Sequence, residues 1–139
     1  MTVLAAAANR QSKGVPKTRR FLMAASQTIY KGAIVHLNAS GLAIPASDTA
    51  SQVVAGIAAE TVVSAATGNF WIQVEYDREY LFAATSITQA MVGVNMVTVD
   101  DNTVDDIAGA TNDIVVGKLT EFVSTTLGWV HVPGLTATP

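Results

Sequence analysis

The amino-acid sequence predicts a mainly β protein: a small β-barrel or β-sandwich-like domain with one short helix and an extended N-terminal arm. Three observations support this fold class. Short runs of β-forming residues alternate with turn residues along most of the chain. Residues 69–83 have a period of two, and only residues 86–93 have the pattern of a helical turn. We therefore expect an all-β architecture rather than alternating strands and helices.

The chain divides into an arm, a body and a tail. Residues 1–17 contain Gly14 and Pro16 and show no sustained period, so we expect an extended or disordered basic arm. Residues 18–133 carry the β pattern and are predicted to form one domain, which is long enough to bury a core. Residues 134–139 have no pattern and are expected to form a C-terminal tail.

The body is expected to begin with a strand over residues 19–24, followed by a hairpin. The first hairpin strand, residues 33–37, precedes an Asn-Ala-Ser-Gly turn in which Gly41 can adopt a positive φ. The second strand ends at Pro45, which lacks an N–H and therefore suits a sheet edge or a strand end.

Residues 53–63 could form either a helix or a strand. Their alanines favour a helix, whereas their valines and the internal Gly56 favour a buried strand at a point of close backbone approach. We predict a strand here.

The clearest strand lies within residues 69–83. Ile72 and Val74 are expected on one face and Trp71 on the other. Residues 77–78 are predicted to end this strand, and residues 79–83 to return as the next one.

The remaining segments complete the β pattern. One helical turn over residues 86–93 is expected to be capped by Ser86 or Thr88 and to stop at Gly93. Residues 95–106 are predicted to form a strand that runs into an acidic turn. Residues 113–124 and 128–134 are predicted to form a closing hairpin.

Positive charge is concentrated near the N-terminus. Residues 1–31 hold six of the eight basic residues and no acidic residue, whereas residues 32–139 hold two basic residues and all eleven acidic ones, a net formal charge of −9. A basic segment ahead of an acidic body is typical of an interaction tail. Because the acidic body would repel phosphates, we expect an acidic protein surface as the partner rather than nucleic acid.

Composition excludes several classes of protein. Without cysteine, the chain cannot form a disulfide, a thiolate metal site or a cysteine nucleophile. No apolar run approaches the roughly 18 residues of a membrane span. No positive residue precedes the apolar start, so we do not expect a signal peptide. Charged residues make up only 14% of the chain, against about a quarter in typical domains. We therefore expect part of the surface to contact another protein.

No pattern in the sequence predicts catalysis. The aspartates of residues 100–106 lack the glycine and the closing glutamate of a calcium loop, so we expect a solvated acidic turn. His36 and His131 have no nearby carboxylate pattern that would define a metal site. Paired acids for glycoside cleavage could be proposed at Glu75, Asp77 and Glu79. These three share a face only if the strand continues unbroken, so we expect a polar strand rim, no cofactor and no enzyme activity.

A family pattern runs through three segments of the body. They are YKGAIVHLNASGLAIPASDTASQVVAGIAAE (residues 30–60), SITQAMVGVNMVTVDDNTVDD (86–106), and DIVVGKLTEF with GWVHV (113–132). In this order and spacing they resemble the small head decoration, or capsid cement, proteins of tailed bacteriophages. No single segment is a signature, and the resemblance lies in the whole set.

The resemblance implies a non-enzymatic structural virion protein, made in the host cytoplasm and located on the outer surface of the phage head. Such a protein binds the major capsid protein and stabilises its lattice. The resemblance also implies a homo-oligomer, with a trimer preferred. This chain departs from the family in its longer, more basic arm, so no docking geometry is carried over.

The arm is the segment that we expect to contact the capsid. The predicted contact residues are Val3, Leu4, Arg10, Lys13, Lys17, Arg19 and Arg20. Two alternatives remain open: a tail-tube or head–tail connector subunit, which would form rings or tubes alone, and an OB-like binder of single-stranded nucleic acid. The latter needs aromatic and basic residues interleaved on the body, whereas the body aromatics have acidic sequence neighbours and only Arg78 nearby.

Overall fold

The computed structural model describes residues 3–67 and 69–136. Strands account for 47% of the chain and helices for 6%, which confirms the predicted mainly β class. The strands form two larger sheets and one short pair, and two clusters of buried hydrophobic residues lie among them.

Thirteen strands and three short 3₁₀ turns make up the described part of the chain. The strands are β1 (Ser12–Lys13), β2 (Lys17–Leu22), β3 (Thr28–Ile29), β4 (Ile34–Leu37), β5 (Ala43–Pro45), β6 (Val53–Ala58), β7 (Val62–Val63), β8 (Trp71–Tyr76), β9 (Arg78–Ala84), β10 (Asn95–Thr98), β11 (Thr103–Asp105), β12 (Val115–Ser124) and β13 (Leu127–Val132). The 3₁₀ turns are Gln89–Met91, Ile107–Gly109 and Gly134–Thr136.

A closed five-stranded barrel is formed by β9, β11, β10, β12 and β13. One edge of β9 pairs with β13 along its length, and the end of its other edge pairs in parallel with β11. The earlier part of that second edge is occupied by β1, with Ser12 opposite Tyr80 and Lys13 opposite Glu79. A strand from the N-terminal arm is therefore added to the wall of the barrel. Fully buried Phe82 and Met96 belong to a hydrophobic cluster that the barrel shares with the second sheet.

The second sheet is antiparallel and has the strand order β2-β8-β6-β4-β5. The predicted hairpin is confirmed, since β4 pairs with β5 and Gly41 has a φ of +77°. The side chain of Asn38 shapes its turn by accepting the N–H groups of Ser40 (2.9 Å) and Leu42 (3.1 Å). The Pro45 end of β5 lies at a sheet edge, as its missing N–H requires.

The strand prediction for residues 53–63 is also confirmed, because β6 and β7 occupy this segment. Gly56 has a φ of +149°, and a Cβ there would lie 2.3 Å from the carbonyl oxygen of Glu75 in β8. The glycine thus lets two backbones approach more closely than any side chain would allow.

Residues 79–83 form a strand as predicted, within β9, but that strand does not return beside β8. Asp77 adopts a φ of +60° and its N–H donates to the carbonyl of Val132 (2.6 Å). This turn carries the chain out of the second sheet and into the barrel, where β9 pairs with β13 rather than with β8.

Two further predictions need correction. The helical turn exists and precedes Gly93 (φ +89°), but Thr88 makes no side-chain cap and Ser86 lies outside the turn. The turn is so short that the carbonyls of Thr88 and Gln89 already accept the N–H groups of Met91 and Val92. The segment predicted to be a patternless tail begins with the 3₁₀ turn Gly134–Thr136, and residues 137–139 lie outside the described residues.

Candidate functional site

The described part of the N-terminal arm lies along the body and is extended. The N–H of Leu4 donates to the carboxylate of Asp101 (2.9 Å), and the N–H of Ala8 donates to the carbonyl of Lys31 (2.8 Å). Further along, β1 pairs with β9. Much of the arm is therefore held by bonds to the protein's own body.

Arg10 makes the largest set of contacts in the arm. Its guanidinium donates to the carbonyl oxygens of Gly32 (2.8 Å) and Leu81 (2.8 Å) and to the side-chain oxygen of Asn102 (2.9 Å). It also lies over the ring of Phe82, 4.5 Å from the centroid. These partners belong to the turn that leads into β4 of the second sheet, to β9 and to the turn between β10 and β11. Arg10 thus bridges both sheets from within the seam between them.

The charge of Arg10 is retained despite this burial. Burial lowers the pKa of Arg10 to about 10, while Asp101 and Asp100 act in the opposite direction. The group is therefore protonated at neutral pH. In this structure, the predicted capsid contact Arg10 serves as an internal bridge.

The prediction of a solvated acidic turn is wrong for Asp101, which is only 5% exposed. Burial raises the pKa of Asp101, and the N–H of Leu4 and the charge of Arg10 partly offset that rise. The arm itself covers this carboxylate, which no local pattern could reveal. Asp105 is buried as well, whereas Asp100 accepts the N–H of Asn102 (2.8 Å) and shapes the turn.

Two lysines at the end of the arm form exposed ion pairs with the body. Lys13 lies 3.2 Å from a carboxylate oxygen of Glu121 and 4.2 Å from the ring centroid of Trp129. Lys17 lies 3.3 Å from Asp77, and its hydrogen bond and charge lower the pKa of Asp77. Exposed pairs of this kind contribute little to stability because water and salt screen them.

Arg19 and Arg20 have a different environment. Arg19 lies 5.3 Å from the ring centroid of Tyr76, and Arg20 lies 4.7 Å from that of Trp71. Within the described residues, no carboxylate oxygen lies within 4.0 Å of either guanidinium. Their charges are held in place by aromatic rings and are not neutralised by an acid of the same chain.

Strand pairing explains this arrangement. β2 pairs with β8 so that Arg19 is opposite Val74 and Arg20 is opposite Gln73. The two arginines point to opposite faces of the sheet, and each reaches the aromatic residue diagonally across from it. The first four residues of β2, Lys17 to Arg20, are exposed. We call this exposed stretch, with its unpaired outer side, the basic edge.

Sequence reasoning found the basic residues of this surface but missed its aromatic ones. Neighbours along the chain suggested that only Arg78 lies near the body aromatics, and the structure corrects this: β1 and β2 bring three more cations onto the rings of Trp129, Tyr76 and Trp71. The period of two in β8 indicated that Trp71 faces outward, and it is 44% exposed. The alternation within β8 could not show that β2 lies beside Trp71.

The other candidates for chemistry have local partners. Glu75 lies 3.3 Å from Arg78 and accepts the hydroxyl of Tyr80 (3.0 Å), while His131 lies 3.2 Å from Asp77. Across residues 3–67 and 69–136, no group of three or more His, Asp or Glu residues could hold a metal ion. None of the helices described there is long and apolar enough to cross a membrane.

His36 is fully buried. Its Nδ1 lies 2.7 Å from the side-chain oxygen of Gln52, and its Nε2 lies 2.9 Å from the hydroxyl of Thr98. Since the amide oxygen can only accept, Nδ1 carries the proton and Nε2 accepts from Thr98. Burial lowers the pKa of His36 to about 4, so it is neutral at neutral pH and satisfied within the core.

No family model matches the sequence, and no curated protein matches it either.

Proposed function

We propose that this chain is a non-enzymatic structural protein of a tailed-bacteriophage virion. It binds the outside of the head and stabilises the lattice of the major capsid protein. One observation carries the proposal: Arg19 and Arg20 stand on an exposed sheet edge, each against an aromatic ring and apart from the chain's own carboxylates. Cations held in this way are available to an acidic surface of another protein. The family resemblance supplies the identity of that protein.

The seven predicted contact residues have different surroundings. Leu4 and Arg10 contact the body through Asp101 and the sheet seam. Lys13 and Lys17 are exposed but pair with carboxylates of the body. The exposed residues without such a pair are Val3, Arg19 and Arg20. Binding through all seven remains a prediction. Because each exposed charge pair contributes only about 0–1 kcal/mol, attachment would depend on many copies on one lattice.

The test is co-sedimentation of the purified protein with heads, or with empty shells assembled from the major capsid protein of the same genome. We expect the double variant Arg19→Gln/Arg20→Gln to bind at least tenfold more weakly. We also expect binding of the unaltered protein to weaken steeply with salt, since the contacts are exposed charges. Deleting residues 1–16 would be a poorer test because it also removes Arg10 and β1, which hold the fold together.

A matched control is the double variant Lys31→Gln/Lys118→Gln, which loses the same charge at two exposed positions away from the basic edge. It should bind within about twofold of the unaltered protein. Equal loss in both double variants would show a net-charge effect only. Failure of the unaltered protein to bind any shell would refute the proposal.

The trimer is a separate part of the proposal. Light scattering at tens of micromolar is expected to report three chains per particle. A monomer at that concentration would mean that trimers form only on the lattice. Rings or tubes in electron micrographs of the purified protein would instead favour a tail-tube or connector subunit.

Binding of single-stranded nucleic acid is a second candidate, favoured by the cations on Trp71, Tyr76 and Trp129. Aromatic rings beside basic residues are the elements of a stacking surface. However, the cations lie over these rings, and Glu121 sits beside one of them, Lys13. Tryptophan fluorescence titrated with an oligonucleotide at moderate salt separates the two functions. A saturable change would favour the nucleic-acid function.

A further inference from the structure

We propose that the basic edge accepts an extended segment of a partner protein as an additional strand, and that this segment carries two adjacent acidic residues. The inference rests on the proposed function for the identity of the partner, the major capsid protein. The geometric arguments for strand addition come from β2 and its pairing with β8.

The first argument concerns the backbone of β2. The N–H of Met23 donates to the carbonyl of Phe70 (2.8 Å), which continues the β2–β8 register and marks a hydrogen-bonded pair. Such pairs alternate along an antiparallel ladder, so the N–H and C=O groups of Arg19 point toward β8. Those of Thr18 and Arg20 point away from it, to the open side.

The opposite side of β8 gives an independent check. The carbonyl of Gln73, the partner of Arg20, accepts the N–H of Ala59 (2.9 Å), and its N–H donates to Glu60 (3.0 Å). The backbone N–H and C=O groups of Gln73 therefore point away from β2, as expected for a residue of a non-hydrogen-bonded pair. Ala43 of β5 bridges Met23 just beyond the end of β2, but in the described residues no strand pairs with the outer side of Lys17 to Arg20. An exposed edge with free N–H and C=O groups is the template for strand addition.

The second argument concerns charge. Arg19 and Arg20 project from opposite faces of the edge strand, each placed by an aromatic ring. Residues directly opposite each other on paired strands share a face. An added strand would therefore meet both cations with two consecutive side chains. Adjacent carboxylates in an extended segment are the complement of this arrangement.

The same charges disfavour a second copy of this chain as the occupant. Two basic edges paired side by side would bring Lys17, Arg19 and Arg20 close to their own copies, and like charges on paired strands are destabilising. Charged edges commonly prevent such self-pairing. An acidic strand removes that repulsion.

Hydrogen exchange of the backbone amides tests the geometry directly. The protein is bound to shells assembled from the major capsid protein of the same genome, exchanged, released and analysed by NMR. The amides of Thr18 and Arg20 should exchange at least tenfold more slowly on shells than in the free protein. The amide of Arg19, which already donates to β8, should change little. Binding without this alternation would overturn the inference and leave the proposed function intact.

A variant pair provides the second test. Thr18→Pro removes an outward N–H while keeping every charge and the ladder to β8, and proline is tolerated at such edge positions. Thr18→Val keeps the N–H and serves as the control. We expect the proline variant to bind shells at least tenfold more weakly than the valine variant, with circular dichroism spectra alike. Equal binding of the two would overturn strand addition.

The remaining outcomes separate the two proposals. If the unaltered protein binds no shell, the proposed function fails. If Thr18→Pro unfolds, the exchange measurement on the unaltered protein still decides the inference. If the free protein forms a dimer that Thr18→Pro abolishes, the occupant is a second copy, and the acidic segment is wrong.

Discussion

The guanidinium of Arg10 lies 4.5 Å from the centroid of the Phe82 ring, and that ring is fully buried in the barrel. A residue from the most basic part of the chain thus caps the core of an acidic body. The guanidinium of Arg10 tolerates this burial because the carbonyl oxygens of Gly32 and Leu81 accept its N–H groups. The arm therefore has two parts: an anchor that ends near Lys13, and the basic edge that follows.

Arg10→Met tests the anchor. Methionine keeps an apolar stem beside Phe82 but leaves the carbonyl oxygens of Gly32 and Leu81 without these donors. We expect the free energy of unfolding to fall by about 2–4 kcal/mol, since hydrogen bonds to charged groups contribute about 1.5–3 kcal/mol each and are not additive. Urea denaturation measures the change. The matched control Arg20→Met, at an exposed position, should cost less than about 1 kcal/mol. An equal loss of stability in Arg10→Met and Arg20→Met would show that Arg10 has no special structural role.

His36 predicts a dependence of stability on pH. Its pKa falls from 6.5 in the unfolded chain to about 4 in the fold, mainly because of burial. The unfolded state therefore binds more protons between these values. The stabilising contribution is complete above pH 6.5 and is lost as the pH falls toward 4. The loss totals on the order of 3 kcal/mol, at up to about 1.4 kcal/mol per pH unit.

The measurement is urea denaturation at several pH values between 4.5 and 7, compared with His36→Gln. That variant is expected to be less stable but to lack the steep part of the pH dependence. Asp101, whose raised pKa acts in the opposite sense, is present in both proteins and cancels in the difference. Parallel pH profiles would show that His36 does not titrate in this way.

Gly56→Ala tests the close approach of β6 and β8. The new Cβ would lie 2.3 Å from the carbonyl oxygen of Glu75 at a φ of +149°. We expect a loss of about 1–3 kcal/mol from overpacking, added to the strain of the backbone. The control Gly41→Ala also has a positive φ but meets nothing within 4 Å, and should cost about 1–2 kcal/mol. Thermal unfolding ranks the two, and a Gly56→Ala protein more stable than Gly41→Ala would contradict the argument.

Much of the secondary structure was predictable because its causes are local. The Asn38 turn closes on its own neighbours, and the alternation of Ile72 and Val74 reflects the two faces of one strand. The strand assignment of residues 53–63 followed from valines and one glycine. The predictions that failed depend on distant residues. Asp101 was expected in solvent and is covered by Leu4, which is 97 positions away in the sequence.

The candidate site shows the same division. The basic residues at positions 10 to 20 could be listed from the sequence, but their roles could not be separated. Arg10 and Arg19 are chemically identical, yet one bridges two sheets and the other stands on an open edge. That difference arises from which strand lies next to each arginine.

By itself, the sequence determined the all-β class, the positions of most turns and the separation of positive from negative charge. These follow from residue type and from contacts a few positions apart, which alternation and turn chemistry record. The tertiary structure alone decided how the strands divide into a barrel and a second sheet, which aspartates are buried, and which cations remain at the surface. Each of these outcomes depends on strand register between distant segments, and many registers satisfy the same local pattern, so only the packing of the whole chain selects one.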